Sequence, residues 1–152
     1  MKKHVIMMSK FFPKGHILEG DETDFRIKVE TGTKLHTMRN GGKWPQRIKE
    51  VEEGKAILSV REWTGVPYNS PQKELFQITE HDGIGIEYCI RRSPGTFQIK
   101  KNKDDATGII IEIIDGLAKN DGLSFIEFVS WFEKVSPGTE LIIIHFTKFR
   151  YI

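Results

Sequence analysis

Short strand-like runs follow one another along the 152-residue sequence, with little helical pattern between them. The clearest run is 84–91, where Ile84, Ile86 and Tyr88 alternate with other residues in the manner of a strand with two distinct faces. Because so few residues remain for helices between strands, the sequence argues against a mostly parallel doubly wound sheet. We expect an α+β fold built on a small closed or nearly closed β-barrel of about six strands, with two or three short helices. The extended segments predicted are 4–8, 34–39, 56–62, 73–79, 84–91, 109–114 and 141–147.

Helical signals are strongest near the end of the sequence. Ser124 and Glu127 have the spacing of a capping box, in which each side chain bonds the backbone amide of the other residue. An apolar stripe at i, i+3, i+4 and i+7 follows and comprises Phe125, Phe128, Val129 and Phe132. Two further short helices are predicted, one over 24–30 with Thr23 as its cap and one over 45–53.

Charge and cysteine content exclude several classes of protein. The 23 Lys and Arg against 21 Asp and Glu give a net charge of +2, too small for a protein that coats polyanions through bulk charge. The single cysteine, Cys89, excludes an intramolecular disulfide and a thiolate zinc cluster, and we expect a buried structural thiol. The apolar runs 109–111 and 141–144 are far shorter than a membrane span, and 5–8 is too short for a signal peptide. We therefore expect one cytoplasmic domain, 1–152, with no membrane association.

Residues 32–39 carry the densest polar pattern in the sequence. An ordinary half-buried strand has an apolar residue at every second position. Here Lys34 and His36 share one face, and Thr37 and Arg39 share the other. Both faces are rich in polar residues, so we interpret the segment as the lining of a cleft. The alternative is an edge strand with one solvated face.

The pattern Gly-x-Lys-x-x-Thr-x-Arg after a short helix resembles the signature of ASCH domains, which belong to the PUA-like superfamily. It is carried here by Gly32, Lys34, Thr37 and Arg39. The order of elements is similar as well, with a last helix followed by Pro-Gly and a final strand. The resemblance implies a β-barrel with a cleft at its mouth, and RNA or a modified nucleoside as the partner.

The resemblance also implies a possible chemistry. A small bacterial member of the family hydrolyses the acetyl amide of 4-N-acetylcytidine, and its lysine, its threonine and an acidic residue before the last helix form the proposed catalytic group. These roles fall on Lys34, Thr37 and Asp121, the last found by counting back from the Pro-Gly pair at 137–138. Aspartate replaces the glutamate of the family enzyme and is one methylene shorter.

Amide hydrolysis needs a nucleophile, a base and a group that stabilises the developing oxyanion. Thr37 offers a hydroxyl, either as the nucleophile or to orient a water molecule. Lys34 acts as a base only if burial or a neighbouring cation such as Arg39 lowers its pKa, and otherwise it clamps an oxyanion or a phosphate. Asp121 accepts a proton or orients Lys34. Residues three apart on a regular strand face opposite sides, so Lys34 and Thr37 converge only if Lys34 lies in the preceding turn or a bulge intervenes.

The remaining candidates lie outside the catalytic group that the resemblance implies. Substrate-binding roles are predicted for Arg39, His36, Arg61, Trp63 and Tyr68. The aromatic residues Trp63 and Tyr68 either stack on a base or belong to a buried aromatic core. The basic stretch 91–103 is interpreted as a solvated loop. No cofactor and no metal are expected, because the five histidines are scattered, and His145 is interpreted as a hydrogen-bonded core residue.

Three functions therefore stay open. The first is a binding domain for RNA or a modified nucleotide, with the ligand in a cleft at the barrel mouth. The alternative is an amidohydrolase that acts on N-acylated nucleosides such as 4-N-acetylcytidine through Lys34, Thr37 and Asp121. The second alternative is a protein-interaction domain, which predicts an exposed apolar patch away from the cleft.

Overall fold

Two β-sheets and four short helices make up the part of the chain that the computed structural model describes, residues 1–93, 95–105, 108–112 and 116–152. This architecture belongs to the predicted α+β class. In chain order the elements are β1 (Lys2–Met7), α1 (Phe25–Glu30), β2 (His36–Asn40), α2 (Trp44–Glu52), β3 (Ala56–Trp63), β4 (Gln72–Ile78), a 3-10 turn (Glu80–Asp82), β5 (Gly85–Ser93), β6 (Thr96–Lys100), β7 (Ile109–Glu112), α3 (Leu117–Asn120), α4 (Phe125–Phe132) and β8 (Glu140–His145).

The smaller sheet has the strand order β1-β3-β4. Strand β1 runs parallel to β3, and this register places Met7 beside Arg61. Strand β4 pairs with β3 in the antiparallel sense, with a bulge between Val60 and Arg61. Beyond β1 the pairing continues, because the amide of Met8 donates to the carbonyl of Arg61 over 2.7 Å. The chain that leaves β1 therefore runs beside the end of β3, where Trp63 lies.

The larger sheet has the strand order β2-β8-β5-β6-β7, and every pair in it is antiparallel. Strand β8 lies between β2 and β5, and its residues 141–144 are all buried. This position confirms the prediction that the last strand is central, since its apolar side chains are covered on both faces. Helix α2 packs against β3, β5 and β8 with Ile48 and Val51 fully buried, so it bridges the two sheets.

Strand β6 is absent from the sequence predictions, which assign a solvated loop to this region. The prediction is wrong because Phe97 and Ile99, two residues apart on β6, are fully buried. The ring of Phe97 meets the ring of Phe128 edge to face, with 5.7 Å between centroids. The strand predicted over 109–114 is confirmed for 109–112, and residues 113 and 114 lie outside the described residues.

Helix α4 begins with the predicted capping box. The amide of Glu127 donates to Oγ of Ser124 over 3.2 Å, and the amide of Ser124 donates to Oε1 of Glu127 over 2.8 Å. The apolar stripe is wrong at its first position, because Phe125 stays 47% exposed. The buried contacts begin one turn later, where Phe128 meets Phe97 in β6.

The other helices are also short. Helix α2 confirms the prediction over 45–53 to within a residue, but Thr23 is not the cap of α1. Asp24 holds the cap position with a φ of 59°, and the hydroxyl of Thr23 donates instead to the carbonyl of Ser9 over 2.7 Å. Among the described residues, no helix has the length and apolar character needed to cross a membrane.

Candidate functional site

A cavity of about 430 Å³ opens between the end of β1, strand β2 and helix α4. Four residues singled out in the sequence line it together: Lys34, Thr37, Arg39 and Asp121. Its apolar walls include Phe25 and Trp131. We call this space the lysine cavity.

The turn after α1 brings Lys34 into this position. Gly32 has a φ of +77°, a conformation that glycine adopts without strain. Its amide donates to the carbonyl of Val29, and the amide of Thr33 donates to that of Lys28, which is the Schellman pattern of a helix end. Lys34 therefore lies in the turn before β2, which is one of the two arrangements that allow it to converge with Thr37.

Lys34 and Asp121 form a buried pair across the cavity wall. Nζ of Lys34 donates to the backbone carbonyl of Asp121 over 2.6 Å and to Oδ1 over 3.2 Å, and both side chains are nearly inaccessible to solvent. Burial lowers the pKa of Lys34 below the ordinary lysine value, although Asp121 opposes the shift. Burial would raise the pKa of Asp121, but Lys34 and His36 outweigh it and leave the pKa low. The carboxylate thus stays ionised, and the lysine loses its proton more readily than in water.

Thr37 and Arg39 are neighbours on one face of β2. Nη1 of Arg39 donates to the hydroxyl oxygen of Thr37 over 2.7 Å, and Nη2 donates to the carbonyl of Met7 over 2.7 Å. The guanidinium therefore ties the end of β1 in the smaller sheet to β2 in the larger one. It also leaves the hydroxyl hydrogen of Thr37 free to turn toward a ligand.

His36 lies behind the cavity and not in its lining. Its side chain is fully buried, and its Nε2 lies 2.7 Å from the hydroxyl of Tyr151. Its Nδ1 lies 3.3 Å from Oδ1 of Asp121 but makes no hydrogen bond. Burial lowers the pKa of His36, which favours the neutral ring. His36, which the sequence predicts to bind substrate, therefore does not line the lysine cavity and contacts Asp121 instead.

A second buried layer lies behind His36, and the sequence interpretation identified His145 in it but missed Glu87. His145 places its Nε2 2.8 Å from Oε1 of Glu87, which confirms that His145 is a hydrogen-bonded core residue. Glu87 also accepts the backbone amides of Tyr151 and Ile152, over 2.8 and 3.0 Å. The only available sequence signal was a carboxylate within a strand, since the partners of Glu87 lie 58 to 65 residues further along the chain.

The other predicted substrate-binding residues lie outside the lysine cavity. Arg61 bonds Ser59 and Gln72 on the smaller sheet. Trp63 and Tyr68 line a second cavity, also of about 430 Å³, around the chain that follows β1. The predicted site residues therefore do not share one cavity, because Lys34, Thr37, Arg39 and Asp121 line the lysine cavity while Trp63 and Tyr68 line the second one.

Cys89 is fully buried and burial raises the pKa of its thiol, as expected for a structural cysteine. Within the described residues, no group of three or more His, Cys, Asp or Glu side chains is arranged to hold a metal ion.

Comparison with known proteins yields no match, whether to family models, to curated proteins or to solved structures.

Proposed function

We propose that this chain is a nucleotide-binding domain of the ASCH type, in the PUA-like superfamily. The lysine cavity holds one modified nucleoside, free or as part of an RNA. The observation that carries the proposal is the convergence of Lys34, Thr37, Arg39 and Asp121 on a single cavity. On this proposal the two sheets, bridged by α2, correspond to the barrel of that superfamily.

Each position of the short motif has a structural task that supports this proposal. Gly32 makes the turn, Lys34 supplies a buried amine, and Thr37 supplies a hydroxyl. Arg39 supports that hydroxyl and joins the two sheets. Strand β2 does lie at the edge of the larger sheet, but its residues 36–38 are buried. A glycine, two cations and a hydroxyl at this spacing therefore serve one site rather than a solvated face.

The size and lining of the lysine cavity suit a nucleoside. A volume of about 430 Å³ lies within the range of small-molecule sites. Phe25 and Trp131 offer apolar and aromatic surface to a base. Lys34, Thr37 and Arg39 offer hydrogen-bond donors, which match the carbonyl oxygens of a pyrimidine and of an acyl group on it.

Titration calorimetry with 4-N-acetylcytidine tests this proposal. We expect wild-type protein to bind, and Arg39→Gln to weaken binding about tenfold or more, because a charge-assisted donor contributes roughly 1.5–3 kcal/mol. Arg61→Gln is the matched control, since Arg61 lies on a strand outside the cavity, and it should bind like wild type. Equal affinity in both variants, or no binding by wild type to any N-acylated nucleoside, would overturn the proposal.

Hydrolysis of the acyl amide is a second candidate, and the state of Lys34 favours it. A neutral Lys34 can donate its two hydrogens to the backbone carbonyl and to Oδ1 of Asp121 and keep its lone pair free. Burial lowers the pKa of Lys34, and this favours the neutral amine. The amine is thereby poised to accept a proton.

The reaction on this candidate uses the same residues. Water, oriented by Thr37, adds to the acyl carbon and gives a proton to Nζ of Lys34. Arg39 stabilises the oxyanion. The C–N bond then breaks, the leaving amino group takes the proton from Lys34, and the acid and the free nucleoside are released.

Hydrolysis assays separate the two candidates. Release of cytidine by wild type, reduced at least a hundredfold in both Lys34→Met and Thr37→Val, supports catalysis. Binding without release, in protein that is folded by circular dichroism, rejects the hydrolase and leaves the binding domain.

A further inference from the structure

The second cavity lies directly beside the first. Its aromatic lining is Phe11, Phe12, Trp63 and Tyr68, and we call this space the aromatic groove. Met8 and Ser9 line both the aromatic groove and the lysine cavity. A ligand that leaves the lysine cavity along this stretch of chain therefore enters the groove.

Tyr68 is presented to solvent in an unusual way. It is 87% exposed, and its φ of +66° is one that non-glycine residues rarely adopt. Its ring lies 5.2 Å from the ring of Trp63 at an angle of 47°. A strained backbone that displays an exposed aromatic ring is more typical of a binding site than of a stabilising contact.

The loop that carries Tyr68 is held by its own backbone and hydroxyl bonds. The amide of Thr64 donates to the carbonyl of Pro71 over 3.0 Å, and the amide of Gly65 donates to Oγ of Ser70 over 3.0 Å. Oγ of Ser70 donates in turn to the carbonyl of Val66 over 2.8 Å. None of these bonds uses the side chain of Tyr68, so its ring is free to serve a ligand.

The charged side chains of the groove indicate the sign of the charge on that ligand. Lys10 and Lys14 are exposed at its lining, and the lining contains no acidic side chain. Aromatic faces with cations beside them suit single-stranded nucleic acid, whose bases stack while its phosphates pair with lysine. A proline-rich peptide also fits aromatic grooves, but it gives the lysines no partner.

We propose that the aromatic groove is a stacking subsite for the nucleotide next to the one held in the lysine cavity. The ligand is then a single-stranded oligonucleotide rather than a free nucleoside. This inference rests on the proposed function, and it assigns to Trp63 and Tyr68 a role separate from that of Lys34 and Thr37.

The test compares two probes on the same proteins. One probe is the nucleoside 4-N-acetylcytidine, and the other is a fluorescent single-stranded RNA hexamer with one 4-N-acetylcytidine at an internal position. Tyr68→Ala removes the exposed ring of the groove. Phe125→Ala is the matched control, because Phe125 is an exposed aromatic residue on α4 outside both linings.

We expect Tyr68→Ala to weaken binding of the hexamer roughly fivefold to a hundredfold, the range for loss of one base–aromatic stack. Nucleoside binding should stay at the wild-type level, and Phe125→Ala should match wild type with both probes. The inference is overturned if Tyr68→Ala binds the hexamer like wild type while the nucleoside still binds, which leaves the proposed function intact. Hexamer binding that depends on Tyr68 without any nucleoside binding overturns the proposed function instead, because the lysine cavity then holds no nucleoside, and the inference falls with it.

Discussion

Lys34 is buried beside Phe25, with its amine 4.2 Å from the centre of that ring and in contact with Asp121. Removing one member of a buried ion pair is costly, because the charge that remains is desolvated without compensation. Asp121 therefore stabilises the fold as well as the site. Its replacement should reveal how readily Lys34 gives up its proton.

We expect Asp121→Asn to lower the free energy of unfolding by about 3–5 kcal/mol at pH 7. Without Asp121 the pKa of Lys34 falls further below its unfolded value, so the unfolded state binds more protons and stability rises with pH. The loss should thus be smaller at pH 10, as measured by urea denaturation at both pH values. Glu53→Gln breaks the exposed pair with Lys55 and should cost nothing measurable. A loss that is equal at both pH values would contradict this view of Lys34.

His145 gives the protein a pH dependence on the acid side. Burial lowers the pKa of His145 from 6.5 to about 4, so between these values the unfolded chain binds a proton that the folded chain excludes. The free energy of unfolding should therefore fall by about 3 kcal/mol as the pH drops through this window. His145→Gln, which retains a donor for Glu87, should flatten the decline in urea titrations. The exposed His81→Gln should not, and an unchanged slope in His145→Gln would refute the assignment.

At the scale of elements, α4 is fixed by its cap and holds Trp131 against the lysine cavity. Ser124→Ala removes the hydroxyl that accepts the amide of Glu127 and should cost about 1 kcal/mol in the free energy of unfolding. Ser136→Ala, beyond the end of α4, should remain within about 0.5 kcal/mol of wild type. Chemical denaturation of the two variants in parallel measures the difference, and equal stabilities would argue against the capping box.

The packing of strand β6 predicts a larger loss of stability than the helix cap does. Phe97 is fully buried against Phe128, so Phe97→Ala should lower the free energy of unfolding by about 3–5 kcal/mol. Phe125→Ala, at the exposed start of α4, should lower it by less than about 0.5 kcal/mol. Thermal or urea denaturation distinguishes the two. Similar losses in the two variants would contradict the burial of Phe97 against Phe128.

The elements differ in how well the sequence predicts them, and the reasons are physical. The capping box of α4 and the glycine turn at Gly32 are local, so sequence spacing suffices to find them. Strand β6 was not predicted because Phe97 and Ile99, which alternate along it, are followed by lysines, and these are typical of solvated loops. The role of Glu87 was not predicted because its partners His145 and Tyr151 are distant in sequence and come close only in the folded chain.

The candidate site was partly predictable for the same reason. Lys34, Thr37 and Arg39 lie within six residues, and a polar pattern on both faces of a strand indicates a cleft. His36 shares the pattern but is buried behind it, since alternation on a strand does not tell which face is open. Nor does it indicate that Trp63 lies in a separate groove, because that placement depends on the parallel pairing of β1 with β3.

At the scale of the whole molecule, the two sheets meet where the proposed ligand binds. Arg39 joins them by its bonds to Thr37 on β2 and to the carbonyl of Met7 on β1. The aromatic groove begins at Met7 and the lysine cavity at Met8, so both proposed subsites flank one segment of chain. A ligand bound at this junction contacts both sheets, and it should therefore stabilise the folded state.

Methionine methyl resonances test the central claim most directly. The chain has four methionines, of which Met8 and Met38 line the lysine cavity while Met1 is 86% exposed at the start of the chain. In protein labelled with ¹³C-methyl methionine, 4-N-acetylcytidine should shift the signals of Met8 and Met38 in a saturable manner and leave Met1 in place. Signals of Met8 and Met38 that do not move at saturating nucleoside, or that move only together with Met1, would contradict the placement of a nucleoside in the lysine cavity.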